Sequence, residues 1–316
     1  MHDLIIIGAA AAGNSAAIYA ARRKLGFKII TDDIGGEVAL SGIINNWPGM
    51  PGVKGYELAQ KFAEHAKSAG AVMDVGWKVE KIYQEKNYLA VAAKNAVGEE
   101  KIEYAKSIII ASGAHPRKLV VPGEAELNRK GVTYCTVCDG PLFKNKITAT
   151  VGSGNAALES ALMMDKIAKK AYLISKYPNN KEAKGGFPKG EDILIEKVKS
   201  LANVEIIYGA ITTEIIGKEK VEGLKYKDET GEEKTIALDG ILTHAGQVPN
   251  SQFIDCVEKD KTGQIIIDEK CRTSCLGIFA AGDVTNVPYK QIGIAVGQGI
   301  IASLAAIEYI NKRRDS

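Results

Sequence analysis

The pattern of apolar and polar positions sets the first boundaries along the chain. Leu4-Ile5-Ile6-Ile7 is apolar without alternation and runs straight into Gly8, the pattern of a strand buried on both faces. It predicts a strand over residues 3–7, a glycine-containing turn over 8–13, an alanine-rich helix over 14–24 and a second strand over 27–31. In residues 56–68 the apolar positions Leu58, Phe62, Ala63 and Ala66 fall on one helical face, and a buried strand follows at 107–111. The opening pattern then returns about 144 residues later: a strand at 147–151, the turn Gly152-Ser153-Gly154, a helix at 155–164 and a strand at 171–174. A polar stretch covers 176–190. Strand-like runs follow at 204–208, 221–226 and 239–243, then a strand at 278–281 and a long helix at 291–310.

A strand–turn–helix–strand start that occurs twice points to an α/β fold with two Rossmann-like, three-layer (ββα) nucleotide-binding domains. Gly and Pro mark chain crossings near 113–117 and 244–249. The second domain, residues 116–244, is thus expected to be inserted into the first, residues 1–115 and 245–316.

Composition narrows the function classes. With 46% hydrophobic and 25% charged residues the chain is not disordered, and a net charge of +3 without a basic-aromatic stripe argues against nucleic acid. No unbroken apolar run reaches the ~18 residues of a membrane span, and the N-terminus lacks the charged start of a signal peptide, so a cytoplasmic location is expected. In that compartment thiols stay reduced, and the five cysteines are not expected to form a disulfide framework.

Two turns have the form of phosphate cradles. Gly8-Ala9-Ala10-Ala11-Ala12-Gly13 is a degenerate G-x-G-x-x-G, in which backbone N–H groups and a helix N-terminus face a pyrophosphate. Its candidate contacts are Gly8, Ala10, Ala12 and Gly13, with Asp32 (and Asp33 beside it) placed to bind a ribose hydroxyl. Gly152-Ser153-Gly154-Asn155-Ala156-Ala157 is a cleaner G-x-G-x-x-A, a possible second nucleotide site made of Gly152, Gly154, Asn155 and Ala156. An acid after the next strand would favour NAD and an arginine NADP. The strand instead ends Ser175-Lys176-Tyr177-Pro178, and Lys176 could neutralise a phosphate only without arginine's bidentate fork. A turn kept for packing alone is the other reading of this second motif.

Cys135-Thr136-Val137-Cys138-Asp139-Gly140 is a C-x-x-C whose sulfurs can close a small ring reversibly, with Asp139 placed to carry a proton to or from a thiolate. A zinc site completed by Cys271 and Cys275, or inert core cysteines, are the alternatives; no metal is expected, because the 271–275 segment reads as the approach to a strand. Cys256, Cys271 and Cys275 read as structural thiols, and His115 and His244, at the two crossings, have no assigned role.

Together and in this order, these motifs resemble the low-molecular-weight thioredoxin reductases, FAD-containing disulfide oxidoreductases. The resemblance spans essentially the whole chain. Gly36-Glu37 and Asn46-Trp47-Pro48-Gly49 look like the family's flavin-contacting segments, Gly113 its first crossover and Gly246-Gln247-Val248-Pro249 the return. Gly282-Asp283 looks like the second FAD motif, and Gln291 and Ile292 open the last helix. The resemblance implies FAD as cofactor and a homodimer. Reduced flavin would pass two electrons to a Cys135–Cys138 disulfide, Cys138 lying next to the flavin, Cys135 attacking a thioredoxin-like protein and Asp139 serving as acid/base. It also implies rotation of the inserted domain between the two half-reactions.

The chain departs from the family's NADPH-binding pattern. Only seven of its 41 basic residues are arginine, and none lies between Arg129 and Arg272. Residues 166–199 hold nine lysines against four acids, either a solvated face or a docking surface for an acidic electron donor such as ferredoxin. The donor thus stands open between NADPH and ferredoxin or a reduced deazaflavin. A flavin-bound redox sensor and a reductase of a peroxiredoxin system are the alternative functions; the latter would carry a further N-terminal disulfide domain, whereas this chain starts directly at the first strand.

Overall fold

A computed structural model describes residues 1–85 and 88–314; the side chains of Cys138 and Arg314 lie outside the described residues. The chain divides into two compact units, Met1–His115 with Val248–Ser316, and Pro116–Gln247. The first unit opens with β1 (His2–Ala9), α1 (Ala11–Arg22), β2 (Phe27–Ile34), α2 (Gly36–Leu40), the short pair β3 (Ile43–Ile44) and β4 (Val53–Lys54), and α3 (Gly55–Ser68). It continues with β5 (Met73–Val75), β6 (Trp77–Gln84), β7 (Leu89–Asn95) and β8 (Glu100–Ile110), and leaves through β9 (Ala114–Pro116). The second unit holds β10 (Val132–Thr133), α4 (Thr136–Asp139), β11 (Ile147–Gly152), α5 (Asn155–Asp165), β12 (Lys170–Ile174), α6 (Asp192–Lys199) and β13 (Val204–Ile207). β14 (Ile211–Gly217), β15 (Val221–Lys227), β16 (Glu233–Ala237) and β17 (Gly240–His244) complete it. β18 (Gln247–Pro249) leads back to β19 (Ile278–Ala280) and α7 (Ile292–Arg314).

The first unit is built on a seven-stranded sheet in the order β5-β2-β1-β8-β7-β6, with β19 also on β8. β1 runs parallel to β2 and β8, and both its faces are covered: Leu4, Ile5 and Ile6 are 0% exposed. This is why the run Leu4–Ile7 shows no alternation. The second unit has a five-stranded parallel sheet, β10-β17-β11-β12-β13, and a separate antiparallel sheet, β14-β15-β16. One of its core clusters joins α5 and α6 to β12 through Leu158, Ala161, Leu173 and Val198.

Small side chains control how closely the helices approach the first sheet. A Cβ on Gly13 would sit 1.8 Å from the Gly8 carbonyl oxygen, so α1 can start directly behind the turn only with glycine there. A Cβ on Gly299 would sit 2.1 Å from the Ala12 carbonyl oxygen, which fixes how near α7 lies to α1; the Ser15 hydroxyl also donates to the Val296 carbonyl at 3.1 Å. α7 is long and apolar enough to cross a membrane by length and composition, although polar Gln298, Ser303 and Glu308 interrupt any apolar run. Here it is packed as a core helix, with Ala302, Ala306 and Ile310 fully buried beside the alanines of α1.

α1 begins at Ala11 rather than at Asn14, because Ala10 already takes the extended conformation that precedes a helix. α2 and α4 are too short to show a helical period in the sequence. The polar stretch 176–190 is mostly exposed but is anchored at one point: Phe187 is fully buried and stacks edge-on against Tyr208.

Replacing Gly299 by Ala is expected to lower unfolding stability by about 1–3 kcal/mol, through overpacking against Ala12. Gly297→Ala, where a Cβ meets open space, is expected to be neutral or stabilising. Denaturant unfolding of the two variants checks this; equal stabilities would show that the α1–α7 spacing is not tight.

Candidate functional site

The first glycine turn ends in a helix N-terminus that the protein leaves without a cap. Ala10 precedes α1 and offers no side-chain hydrogen bond, and Ala11 and Ala12 are 2% and 5% exposed. Buried N–H groups at such a helix start need an acceptor, and a phosphate satisfies both the donors and the helix dipole. The backbone is shaped to let one approach. Gly8 has φ of +104° and lies against the Ala111 carbonyl, where a Cβ would come within 2.3 Å.

Distant segments gather on this turn. Gly36 lies beside Ala10, and Gly282 beside Ala12 and Ala295, close enough that added Cβ atoms would come within 3.5 Å of them. Asn46 donates to Gln291 Oε1 at 2.9 Å across 245 residues of sequence. The Gly36 N–H donates to Asp33 Oδ1 at 2.9 Å, so Asp33 holds the turn while Asp32 stands at the exposed end of β2. Gly113 has φ of +68°, and its carbonyl accepts from the Asn250 N–H at 2.9 Å. Ile292 opens α7.

Carboxyl groups are held protonated more readily than usual around this cradle. Burial raises the Asp283 carboxyl, with Lys290 acting against it. Burial also raises Glu37; His115 opposes the shift, and the charges of Asp283 and Asp33 add to it. Lys290 is lowered by burial, and its ammonium donates to the carbonyls of Thr285 and Val287 at 2.5 and 2.9 Å. Neither His115 nor Lys290 lies in a motif that would assign it a role; only the folded chain brings them near Glu37 and Asp283.

The second glycine turn keeps its shape but not the charge of a phosphate site. Gly152 is closed in by the His244 carbonyl, 2.4 Å from where a Cβ would be, while Gly154 faces open space. At the start of α5, however, Asn155 Nδ2 donates to Glu191 at 2.7 Å, and the Glu191 N–H donates back to Asn155 Oδ1 at 2.8 Å. The Glu159 carboxyl, one turn along, is raised by burial and by the Glu191 charge. Ser175, where an acid or arginine would select the nucleotide, is fully buried; it donates to the Gly186 carbonyl and can accept from the Ser153 hydroxyl at 3.1 Å. Ala156 is exposed, and the Lys176 ammonium lies 5.3 Å from the Tyr177 ring centre.

The dithiol segment spans the short helix α4. Cys135 is disulfide-bonded; the side chain of Cys138 lies outside the described residues. The Thr133 hydroxyl accepts from the Cys135 N–H at 3.1 Å and donates to Asp139 Oδ2, so the carboxylate is tied to the Cys135 backbone. Beneath α4 a polar network runs inward: the Thr136 hydroxyl lies 2.7 Å from Ser160 Oγ and 2.7 Å from His244 Nε2, and Ser160 reaches Thr150 at 3.0 Å. Burial holds His244 down to about 4, so it is neutral at pH 7. His244 thus supports Thr136, inside the C-x-x-C; the sequence signalled it only as the residue that follows a strand.

The other cysteines correct one expectation. Cys256 and Cys275, read as structural thiols, are joined in a disulfide with Cα atoms 5.8 Å apart. Nineteen residues separate them, and only the fold of the 254–278 segment brings them together. Among the described residues Cys271 is a free cysteine; it is buried, and burial and the Asp268 charge push its thiol up to about 12, which disfavours the reactive thiolate. Among the described residues, no group of three His, Cys, Asp or Glu could hold a metal ion.

A helix start without a side-chain cap behind the first glycine turn, and a C-x-x-C whose Cys135 is disulfide-bonded in a second α/β unit, are the features of a dinucleotide-dependent disulfide oxidoreductase. The model of the pyridine nucleotide-disulphide oxidoreductase family matches residues 2–299, and the chain belongs to that family. It is 39% identical over 317 residues to the F subunit of alkyl hydroperoxide reductase of Pseudomonas putida; the match covers 98% of this chain and 58% of that protein, so the chain spans little more than half of that relative's length. Among solved structures it is similar to thioredoxin reductase of Lactococcus lactis, with TM-score 0.83, 32% identity, and 99% and 100% of the two chains covered. It is also similar to a ferredoxin-flavin thioredoxin reductase of Clostridium acetobutylicum, with TM-score 0.54, 32% identity, and 100% and 99% covered. The protein is a thioredoxin-reductase-like flavoprotein oxidoreductase with FAD as its cofactor.

His244 generates a pH prediction. Unfolded, the imidazole binds a proton near its ordinary value of 6.5; folded, it resists until about 4. Between these values the unfolded chain holds more protons, so stability is present above pH 6.5 and is lost as pH falls toward 4. Melting temperatures at pH 7.5 and 5 are expected to differ less in His244→Gln than in the native protein; an unchanged difference would remove His244 as the source.

Proposed function

We propose that the protein reduces the disulfide of a thioredoxin-like protein through Cys135 and Cys138. The observation that carries this reading is the disulfide at Cys135 within a C-x-x-C, tied through Thr133 to the Asp139 carboxylate. The α1 N-terminus with Gly8, Ala10, Ala12 and Gly13 would hold the FAD pyrophosphate, Asp32 a ribose, and Gly36, Glu37, Asn46, Gly113, Gly282, Asp283, Gln291 and Ile292 the remainder. When bound, FAD supplies the electron pair that opens the Cys135–Cys138 disulfide. The Cys135 thiolate then attacks one sulfur of the partner's disulfide, and the partner's other sulfur leaves and takes a proton. Cys138 attacks the Cys135 side of the mixed disulfide, restoring the internal disulfide and releasing a reduced partner. Asp139 takes up and returns the proton that each thiolate needs.

The electron donor in this reading is an acidic one-electron protein of the ferredoxin class rather than a pyridine nucleotide. Glu191 bonds the Asn155 side chain at the start of α5 and Glu159 lies one turn along, so carboxyl groups gather near the second glycine turn, and no arginine lies between Arg129 and Arg272 to offset them. Lys166, Lys169, Lys181, Lys189, Lys197 and Lys199 are exposed, and six such cations favour an acidic partner. A second reading, a reductase in a peroxide-reducing system, is favoured by the likeness to the F subunit of alkyl hydroperoxide reductase.

Two measurements test these assignments. Cys135→Ser and Cys138→Ser are expected to retain FAD and to lose all reduction of thioredoxin disulfide; full activity in either variant would overturn the dithiol route, and turnover with a peroxiredoxin but no thioredoxin would favour the second reading. Anaerobically, reduced ferredoxin is expected to bleach the bound flavin, while micromolar NADPH or NADH leaves it yellow. Rapid bleaching by NADPH would overturn the donor assignment alone, and bleaching only by a reduced deazaflavin would replace ferredoxin with that donor.

A further inference from the structure

We propose that Cys256–Cys275 is a second thiol–disulfide exchange site, attacked at Cys256 by low-molecular-weight monothiols. The inference does not depend on the route proposed for Cys135 and Cys138.

The two sulfurs of this bond have opposite surroundings. Cys256 is exposed, whereas Cys275 is 5% exposed and packed among Ile254, Val257 and Ile278. Thiol–disulfide exchange needs a line of approach to a sulfur atom, so an attacking thiolate reaches Cys256 and makes Cys275 the leaving sulfur. The buried side is prepared for the product. Cys275 Sγ lies 3.6 Å from Gln84 Oε1, an oxygen that can accept a proton from the thiol but not from the disulfide. Beside it, Gln84, Tyr88 and Leu276 line an open pocket on the surface, with Leu276 71% exposed.

Opening the bond does not require the loop to unravel. The Glu258 N–H donates to Ser274 Oγ at 2.8 Å, and the Cys275 N–H to Thr273 Oγ1 at 3.2 Å. The Thr273 hydroxyl donates in turn to the Ile278 carbonyl at 2.8 Å. These bonds hold both sides of the junction without involving either sulfur. A disulfide that is exposed on one side and sits in a backbone fixed by other bonds belongs to the labile kind rather than to the deeply structural kind. The segment it closes also reaches the Gly282–Thr285 turn. The Ile265 N–H donates to the Val284 carbonyl, and the Asn286 N–H to the Ile265 carbonyl, both at 2.9 Å. Exchange at Cys256 therefore occurs at one end of the segment that supports the Asp283 turn.

The step balances. A monothiol loses its proton to solvent, its sulfur bonds to Cys256 Sγ, the S–S bond breaks, and Cys275 takes up a proton. A second monothiol attacks the mixed disulfide at the small-molecule sulfur, leaving Cys256 as a thiol and releasing the oxidised small disulfide. Two electrons pass from two monothiols to the protein.

The test uses the full-length Cys135→Ser/Cys138→Ser protein, so that no other dithiol competes. It is equilibrated natively with reduced or oxidised glutathione, quenched in acid, alkylated and mapped by mass spectrometry. Oxidised glutathione is expected to give the cross-linked Cys256–Cys275 peptides. Reduced glutathione is expected to open them, with mixed disulfide on Cys256 exceeding that on Cys275 about tenfold or more. Adding Cys256→Ser is expected to leave Cys275 unmodified. A cross-link that opens only after denaturation, one that never forms in oxidised glutathione, or mixed disulfide mainly on Cys275 would each overturn the proposal.

Discussion

The near-contact of α1 with α7 at Ala12 and Gly299 is the constraint on which the first unit depends. No side chain fits between the two backbones, so the N-terminal turn of α1 lies against Gly282 and Ala295 rather than at a distance from them. That approach buries the helix start and leaves it without a protein cap. A buried, uncapped helix N-terminus is costly in the bare protein and favourable with a phosphate bound. One packing requirement, met with glycine and alanine, thereby produces both a core and a cofactor cradle.

The second unit uses the same plan to a different end. Gly152 still packs tightly under His244, and the turn after β11 keeps its shape, yet the side chain of Asn155 at the start of α5 is bonded to Glu191. The repeated geometry here serves the dithiol: β11, α5 and β17 supply Thr150, Ser160 and His244, which join Thr136 beneath α4. A neutral imidazole suits this role, because a charged one buried among hydroxyls would lack a counter-charge.

The elements with a strong period were legible in the sequence: β1, β2, α3, β11, α5 and β12 follow from runs and alternations that local propensity and burial dictate. The C-x-x-C, with Asp139 directly after it, was legible because its chemistry needs only close spacing. Other features depend on contacts distant in sequence and left no local trace. The Asn46–Gln291 bond spans 245 residues, Glu37 feels His115 and Asp283, and Cys256 meets Cys275 across nineteen residues of loop. The 176–190 stretch reads as polar, and nothing local to it marks Phe187 as the one side chain that anchors it in the core.

By itself, the sequence determined the α/β plan with its repeated glycine turn, the dithiol, and the absence of arginine around the second turn, since each is a matter of residue type at fixed local spacing. The tertiary structure alone decided that Gly282 lies beside the first turn and that Glu191 bonds Asn155 beside the second, and which cysteines pair outside the dithiol. These outcomes turn on distances between segments far apart in the chain, and only the packed fold sets those distances.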